Sequence, residues 1–256
     1  YLDETGIDGA AELIDQLRTA GVDVYFLSNN SSRWKPTYAD RLASMGIDAD
    51  PDDIVLSTDG VIDYLRTNGI ESSYVVGTES MREAIAAAGI EPTASDPETV
   101  VVGFDTELTY EKVAAATLAI REGAEFLVAH GDRVCPTEAG LVPDCGSIAA
   151  LVETATGREP SHVFGKPSVG MIDHVLEREG YAPSDVAIVG DRLSTDIELA
   201  ERLGCESVSV LSGETTRRAV ETADQTPSLV VESVGDLLAE PPDQAETASP
   251  VDSTEL

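Results

Sequence analysis

Positive charge is what this chain has least of. Among its 256 residues, 16 lysines and arginines face 48 aspartates and glutamates, a formal net charge of −32, and only three of the bases are lysines: Lys35, Lys112 and Lys166. A surface this acidic repels nucleic acid and anionic lipid, so neither is expected as a partner. Apolar runs of bilayer length are missing and Tyr1 opens no signal-peptide pattern, which sets the expectation of a soluble, cytoplasmic protein. Cysteine is sparse. Cys135, Cys145 and Cys205 are odd in number and lack CxxC spacing, so neither a disulfide framework nor a zinc site is indicated. Cys135 and Cys145 lie close enough in sequence to meet in space, but the simpler expectation is small core or loop residues.

What is present is enough apolar material for a real core: 42% of residues are hydrophobic, which marks a folded protein rather than an acidic disordered one. The acids are dispersed over every predicted helix. That distribution fits a halophilic protein, kept hydrated in concentrated salt where screening removes most self-repulsion. The competing reading is an acidic domain that binds a cation-rich partner.

Apolar runs alternate with helix-period segments along most of the chain. Strands are expected at 22–27, 54–56, 74–76, 100–102, 126–129, 162–164, 186–189 and 207–210. Helices are expected at 8–20, 36–45, 79–88, 110–122, 147–156, 169–179, 194–203 and 214–222. This rhythm implies an α/β fold with parallel sheets and crossover helices. The last stretch, residues 241–256, has Pro, Ser, Thr and acids without periodicity and is expected to be a disordered acidic tail.

Ligands of open parallel α/β sheets bind beyond the carboxyl ends of the strands, and three such ends carry reactive residue types. The first is Ser28-Asn29-Asn30-Ser31-Ser32, where backbone N–H groups and a hydroxyl can hold a phosphoryl oxygen, unless the segment is only a loop and helix cap. The second is Gly165-Lys166-Pro167, where glycine permits close backbone approach and Lys166 sits at the sheet edge. A lone lysine there is usually solvated; in a chain with three, it suggests neutralisation of an anionic group that must approach through a negative field. The third is Gly190-Asp191 with Asp196 in the first turn of the next helix, hard oxygen ligands suited to Mg²⁺. Asp196 also reads as a helix N-terminal acid favoured by the dipole.

In this order and wording the segments resemble the haloacid dehalogenase superfamily, motifs two, three and four. FLSNNSSR, VVGFDTELTYEKVAAATLAI, PTEAGLVPDCGSIAALVETATGREP, FGKPS and VGDRLSTDI are similar to the NagD-like phosphatases, which include para-nitrophenylphosphatase and phosphoglycolate phosphatase. The resemblance implies a Rossmann-like core with a parallel sheet (1–58 and 164–240) and a large inserted α/β cap domain (59–163). It implies Mg²⁺-dependent hydrolysis of a small phosphorylated metabolite through an aspartyl phosphate, with Asp191 and Asp196 as metal residues. Ser28, Lys166 and Asp191 are then the catalytic set, and Ser28, Asn29, Asn30, Asp132 and Lys166 the substrate-binding set. A homodimer through the cap is a further implication.

Two departures stand out. The family's DxDGT motif, which supplies the nucleophile, is not found: Tyr1–Ala10 aligns just downstream of it, and the role is not transferred to Asp3. The chain as it stands is expected to bind Mg²⁺ weakly and to hydrolyse nothing. The loop Ala129-His130-Gly131-Asp132-Arg133 falls where relatives show TNPD, so Asp132 matches but His130-Gly131 does not, which opens the leaving-group preference. His130 is read as an exposed loop histidine with a possible substrate contact; Glu138 and Asp144 read as fold or loop residues. The alternative function is a non-catalytic phosphate-metabolite-binding or pseudoenzyme module, with a transferase or phosphomutase ranked last. A dinucleotide-binding dehydrogenase is disfavoured because the first strand ends in SNNSS rather than GxGxxG.

Overall fold

The structure is a computed structural model, and it describes residues 6–137 and 139–238. Asp3, Glu138 and the expected tail at 241–256 lie outside the described residues. Helix α1 (Ala10–Thr19) leads to strand β1 (Phe26–Ser28), helix α2 (Lys35–Ser44) and strand β2 (Ile54–Leu56). Strand β1 is half the expected length: residues 22–25 take no strand pairing, and Val22 is 47% exposed. β1 pairs in parallel with β2, and the pair forms a two-stranded sheet.

Helix α3 (Ser57–Thr67) follows without a break, a helix the sequence reading did not anticipate. Its amphipathic period was short and its start, Ser57-Thr58-Asp59, reads equally well as a loop. Asp59 accepts the backbone N–H of Leu56 at 2.8 Å, closing the turn from strand to helix.

The alternation then builds a second sheet: β3 (Ser73–Val76), α4 (Glu79–Ala87), β4 (Thr99–Val102), α5 (Tyr110–Glu122) and β5 (Glu125–Val128). An antiparallel hairpin of β6 (Val134–Thr137) and β7 (Gly140–Pro143) precedes α6 (Cys145–Thr156) and the short β8 (His162–Val163). The hairpin was not expected, because its strands are exposed and carry no apolar alternation. The strand order is β3-β4-β5-β8, all parallel. Val100, Val101 and Val102 are fully buried, as a strand covered on both faces requires, and each such side chain stabilises by roughly 1.5–3 kcal/mol. Helices α3 to α6 supply the rest of this core through Leu65, Ile85, Ile120 and Val152. Thr78, Thr109 and Asp144 cap the N-termini of α4, α5 and α6 with side-chain oxygens.

The remainder returns to the first layer. The helix expected over 169–179 is split into a 3₁₀ turn, Val169–Met171, and α7 (Asp173–Glu179). Strand β9 (Ala187–Gly190) ends in a π-helical turn, Leu193–Ile197, before α8 (Glu198–Leu203), so the helix expected from 194 is wider at its start. Then come β10 (Glu206–Val210), α9 (Arg217–Thr222), capped by Thr216 and therefore shorter than expected, and β11 (Leu229–Val231). These strands form a separate parallel sheet in the order β11-β10-β9. Among the described residues, β1 and β9 are not paired with each other, and each is hydrogen-bonded along one edge. Leu27 nevertheless packs against both layers, touching the clusters around Met171 and around Ile188. No helix among the described residues is long and apolar enough to cross a membrane.

Candidate active site

The strand ends converge. β1 delivers Ser28, Asn29 and Asn30; the segment after β8 delivers Gly165 and Lys166; β9 and its π-helical turn deliver Asp191 and Asp196; the loop after β5 delivers His130 and Asp132. A cavity of about 230 Å³ lined by residues including Tyr64, His162 and Phe164 contains none of these groups, so the site is defined by convergent polar chemistry rather than by concavity.

Asn29 is the hub. It is buried, its Oδ1 accepts the backbone N–H of Lys166 at 2.7 Å, and its Nδ2 donates to the Lys166 carbonyl at 3.2 Å and to Asp132 Oδ2 at 3.1 Å. Its own carbonyl accepts the Ser57 hydroxyl at 2.7 Å, which joins the loop to the start of α3. The Asn29 side chain thus holds Lys166 and Asp132 in place and has no spare donor for a ligand. Asn30 Oδ1 accepts the backbone N–H of Ser32 at 2.8 Å and its hydroxyl at 2.7 Å, a local turn that shapes the loop. Ser28 Oγ accepts the N–H of Asn30 at 3.3 Å.

Lys166 Nζ donates to Asp196 Oδ1 at 2.6 Å and to the Leu27 carbonyl at 3.4 Å. Gly165 is required here: a Cβ on it would stand 2.3 Å from His130 Cβ and 2.9 Å from Asn29 Oδ1. All three lysines are held by carboxylates, Lys35 by Asp59 at 2.9 Å and Lys112 by Asp105 at 2.8 Å, so Lys166 is set apart by its place at the strand ends and not by being unpaired.

Asp196 has both oxygens engaged, the second accepting the N–H of Arg192 at 3.1 Å. Asp191 Oδ2 accepts the N–H of Glu214 at 2.9 Å, and no hydrogen bond from the described residues reaches its Oδ1. The backbone crowds both carboxylates: a Cβ on Gly190 would lie 2.3 Å from Asp196 Cβ, and one on Gly213 would lie 2.1 Å from Asp191 Oδ2. This donor set fits Mg²⁺, which takes one or two protein carboxylates and completes its shell with water and phosphate. Asp191 offers the available oxygen, and Asp196 stands behind it, bound to Lys166.

His130 corrects its expectation: it is 1% exposed, not an exposed loop residue. Its Nδ1 lies 3.4 Å from Asp132 Oδ2 and its Nε2 lies 3.6 Å from Asp144 Oδ1. Burial alone would raise the pKa of Asp132, but the neighbouring His130, the hydrogen bond from Asn29 and the charge of Arg192 bring it below the usual value. Burial prevails at Asp144, whose pKa is raised despite His130 and Arg192. Asp144 caps α6 as a fold residue would, accepting the N–H of Cys145 at 2.6 Å, and it also faces the site. Cys145 is fully buried, and burial pushes its thiol well up; its S–H donates to the Val102 carbonyl, consistent with a core role.

Arg192 was overlooked in the sequence. Its guanidinium pairs with Glu214, and its charge acts on Asp132, Asp144 and Asp191. The available signal was an arginine directly after a strand-end aspartate in a strongly acidic chain.

A layered α/β fold with a serine, a lysine and an aspartate at adjacent strand ends defines a phosphate-ester-processing class. Comparisons agree. A family model described as haloacid dehalogenase-like hydrolase matches residues 1–91, and a HAD-hydrolase-like model matches residues 163–237. The chain is 35% identical over 232 residues to an acid sugar phosphatase of Staphylococcus haemolyticus, covering 89% of this chain and 87% of that protein. It superposes on a 4-nitrophenylphosphatase from Thermotoga maritima with a TM-score of 0.89 at 35% identity, covering 93% of this chain and 91% of the other. It also superposes on a glycerol phosphate phosphatase from Mycobacterium tuberculosis in complex with magnesium, with a TM-score of 0.84 at 32% identity, covering 91% of this chain and 71% of the other. The chain belongs to the haloacid dehalogenase-like hydrolases, in their NagD-like branch of phosphoric monoester hydrolases. Its two kinds of layer are the Rossmann-like core and the α/β cap of that family.

Proposed function

We propose that this protein hydrolyses small organic phosphate monoesters, such as phosphoglycolate, glycerol phosphate or a sugar phosphate, with Mg²⁺ and through an aspartyl-phosphate intermediate. The observation that carries the reading is the linked set Asn29, Lys166 and Asp196 at adjacent strand ends, with Asp191 beside it. Ser28 Oγ and the N–H of Asn29 hold a phosphoryl oxygen. Lys166, fixed by Asp196, offsets charge on the phosphate and on its attacker. Asp191 is the direct metal residue and Asp196 its support; bound Mg²⁺ would neutralise the phosphoryl oxygens and align the nucleophile.

The nucleophilic aspartate comes, in this proposal, from a strand outside the described residues. Its support is the divided sheet. β1 and β9 run toward the same site with unpaired edges, and Val189 on β9 is 47% exposed, as a strand awaiting a neighbour would leave it. Residues 59–163 act as the cap over a core of 1–58 and 164–240, and Asp132 is the cap's contribution to leaving-group binding. The substrate is a small anion, not nucleic acid or membrane; the site of action is the cytoplasm of a salt-adapted cell, and the cap offers a homodimer contact.

The test is phosphate release from para-nitrophenyl phosphate in molar KCl, with and without Mg²⁺. Two proteins are compared, this chain and a version extended upstream to the next in-frame start. Activity confined to the extended protein, and lost with EDTA or Asp191→Asn, is the expected result. Silence from both, each shown to be folded, would overturn the hydrolase and favour a non-catalytic module that binds phosphorylated metabolites.

A further inference from the structure

We propose that His130, Asp132 and Asp144 form a binding site for a divalent transition-metal ion of the Zn²⁺ or Mn²⁺ kind, separate from the Asp191 position. The three residues each offer one ligand atom, and these atoms lie within 4.8 Å of one another. They come from the loop after β5 and from the cap of α6, elements already bound together: Gly146 N–H donates to the Asp132 carbonyl at 2.8 Å and Asp144 N–H to the Arg133 carbonyl at 3.0 Å. The cluster is therefore built by the backbone.

The imidazole supplies the second, independent observation. His130 is 1% exposed, and neither ring nitrogen has a hydrogen-bond partner. A buried imidazole in that condition is rare in folded proteins. The separations to the carboxylates, 3.4 and 3.6 Å, are long for hydrogen bonds. The two are measured from different ring nitrogens, Nδ1 to Asp132 and Nε2 to Asp144. The one on the ligating nitrogen matches the roughly 3.4 Å between ligands about 2.1 Å from a tetrahedral ion, and the other carboxylate oxygen lies within 4.8 Å of that nitrogen. One ring nitrogen and one oxygen of each carboxylate would ligate.

Charge points the same way. Two carboxylates flank the ring in a chain of net charge −32, and the guanidinium of Arg192, whose charge acts on both, is paired with Glu214. A dication cancels the pair. Imidazole and carboxylate together select a borderline transition metal over Mg²⁺, which prefers oxygen ligands and water. The side chain of Asp132 is 18% exposed and that of Asp144 9%, which leaves an entry on the Asp132 side. A bound ion would fasten Asp132, and through it Asn29 and Lys166, to α6.

The experiment uses untagged protein, stripped with chelator and dialysed, and titrated with Co²⁺ as a visible probe and Zn²⁺ by calorimetry. One ion per chain is expected, with d–d absorption and no thiolate charge-transfer band. His130→Asn should weaken binding by about 10–100-fold or more. Asp144→Asn, which keeps an acceptor for the Cys145 N–H and so preserves the cap, should do the same with an unchanged circular dichroism spectrum. Asp191→Asn should leave Co²⁺ binding intact, and the readout does not depend on phosphatase activity. Failure to bind either ion, or binding indifferent to both His130→Asn and Asp144→Asn, would overturn the site. So would ¹⁵N spectra showing His130 doubly protonated under saturating Zn²⁺, which would make it an imidazolium held between two carboxylates.

Discussion

Lys166 Nζ lies 2.6 Å from Asp196 Oδ1, and the two groups come from different strand ends, 30 residues apart. The pair is mostly shielded, with side-chain exposures of 15% and 7%. Removing either partner leaves a buried charge uncompensated, which makes the pair sensitive on both sides. In the extended protein of the proposed assay, Lys166→Met should lower kcat by about 10²–10³, the scale of losing one transition-state charge stabiliser. Lys166→Arg should not restore it, because the planar fork cannot reproduce a point charge directed at both Asp196 and the Leu27 carbonyl. Steady-state kinetics on para-nitrophenyl phosphate check both; wild-type kcat in Lys166→Met would refute the role.

Asn29→Ala removes three side-chain hydrogen bonds at once and leaves the Lys166 backbone and Asp132 short of partners. Stability should fall by about 1–3 kcal/mol in urea unfolding. Asn29→Asp should be worse, placing a second carboxylate against Asp132. Equal stability of the two variants would argue against the Asn29–Asp132 contact.

Gly190→Ala should damage the site from behind. The new methyl would meet Asp196 Cβ at 2.3 Å, where neither the backbone nor the π-helical turn has room. Overpacking of this kind costs about 1–3 kcal/mol, and here it also displaces the partner of Lys166. A lower Tm together with a lower kcat is expected; a change in neither would mean that the turn relaxes freely.

Acidification separates Asp132 from Asp144. The folded pKa of Asp132 is depressed, so its contribution to stability is full above the unfolded pKa and disappears as pH falls through the folded value. Asp132→Asn should therefore lower Tm at pH 7 and have a smaller effect near pH 3. The folded pKa of Asp144 is raised, so its ionised form opposes folding at neutral pH and the penalty fades on acidification. In chelator, Asp144→Asn should raise Tm at pH 7 and lose that advantage near pH 3. Thermal melts at the two pH values decide the signs.

Much of this protein is legible in one dimension because its signals are local. The apolar run Val100–Val102 reads as a buried parallel strand without reference to anything distant, and Ile54–Leu56 and Tyr110–Glu122 appear within their expected limits. Ser28, Lys166 and Asp191 can be picked out as candidates because residue type and strand-end position coincide. Other features depended on packing that no window of sequence contains. The π-helical turn after β9, the shortened β1 and the split of the 169–179 helix follow from what each segment meets, not from its own propensity. His130 shows the difference most plainly. Its place in a polar loop suggested exposure, yet the β5 end, Gly165 and the α6 cap close over it, and only that closure brings Asp144, fourteen residues along the chain, to face its ring. Chemistry carried by one residue type was written in the sequence; chemistry created by two residues meeting was decided by the tertiary structure, because burial and distance belong to the fold.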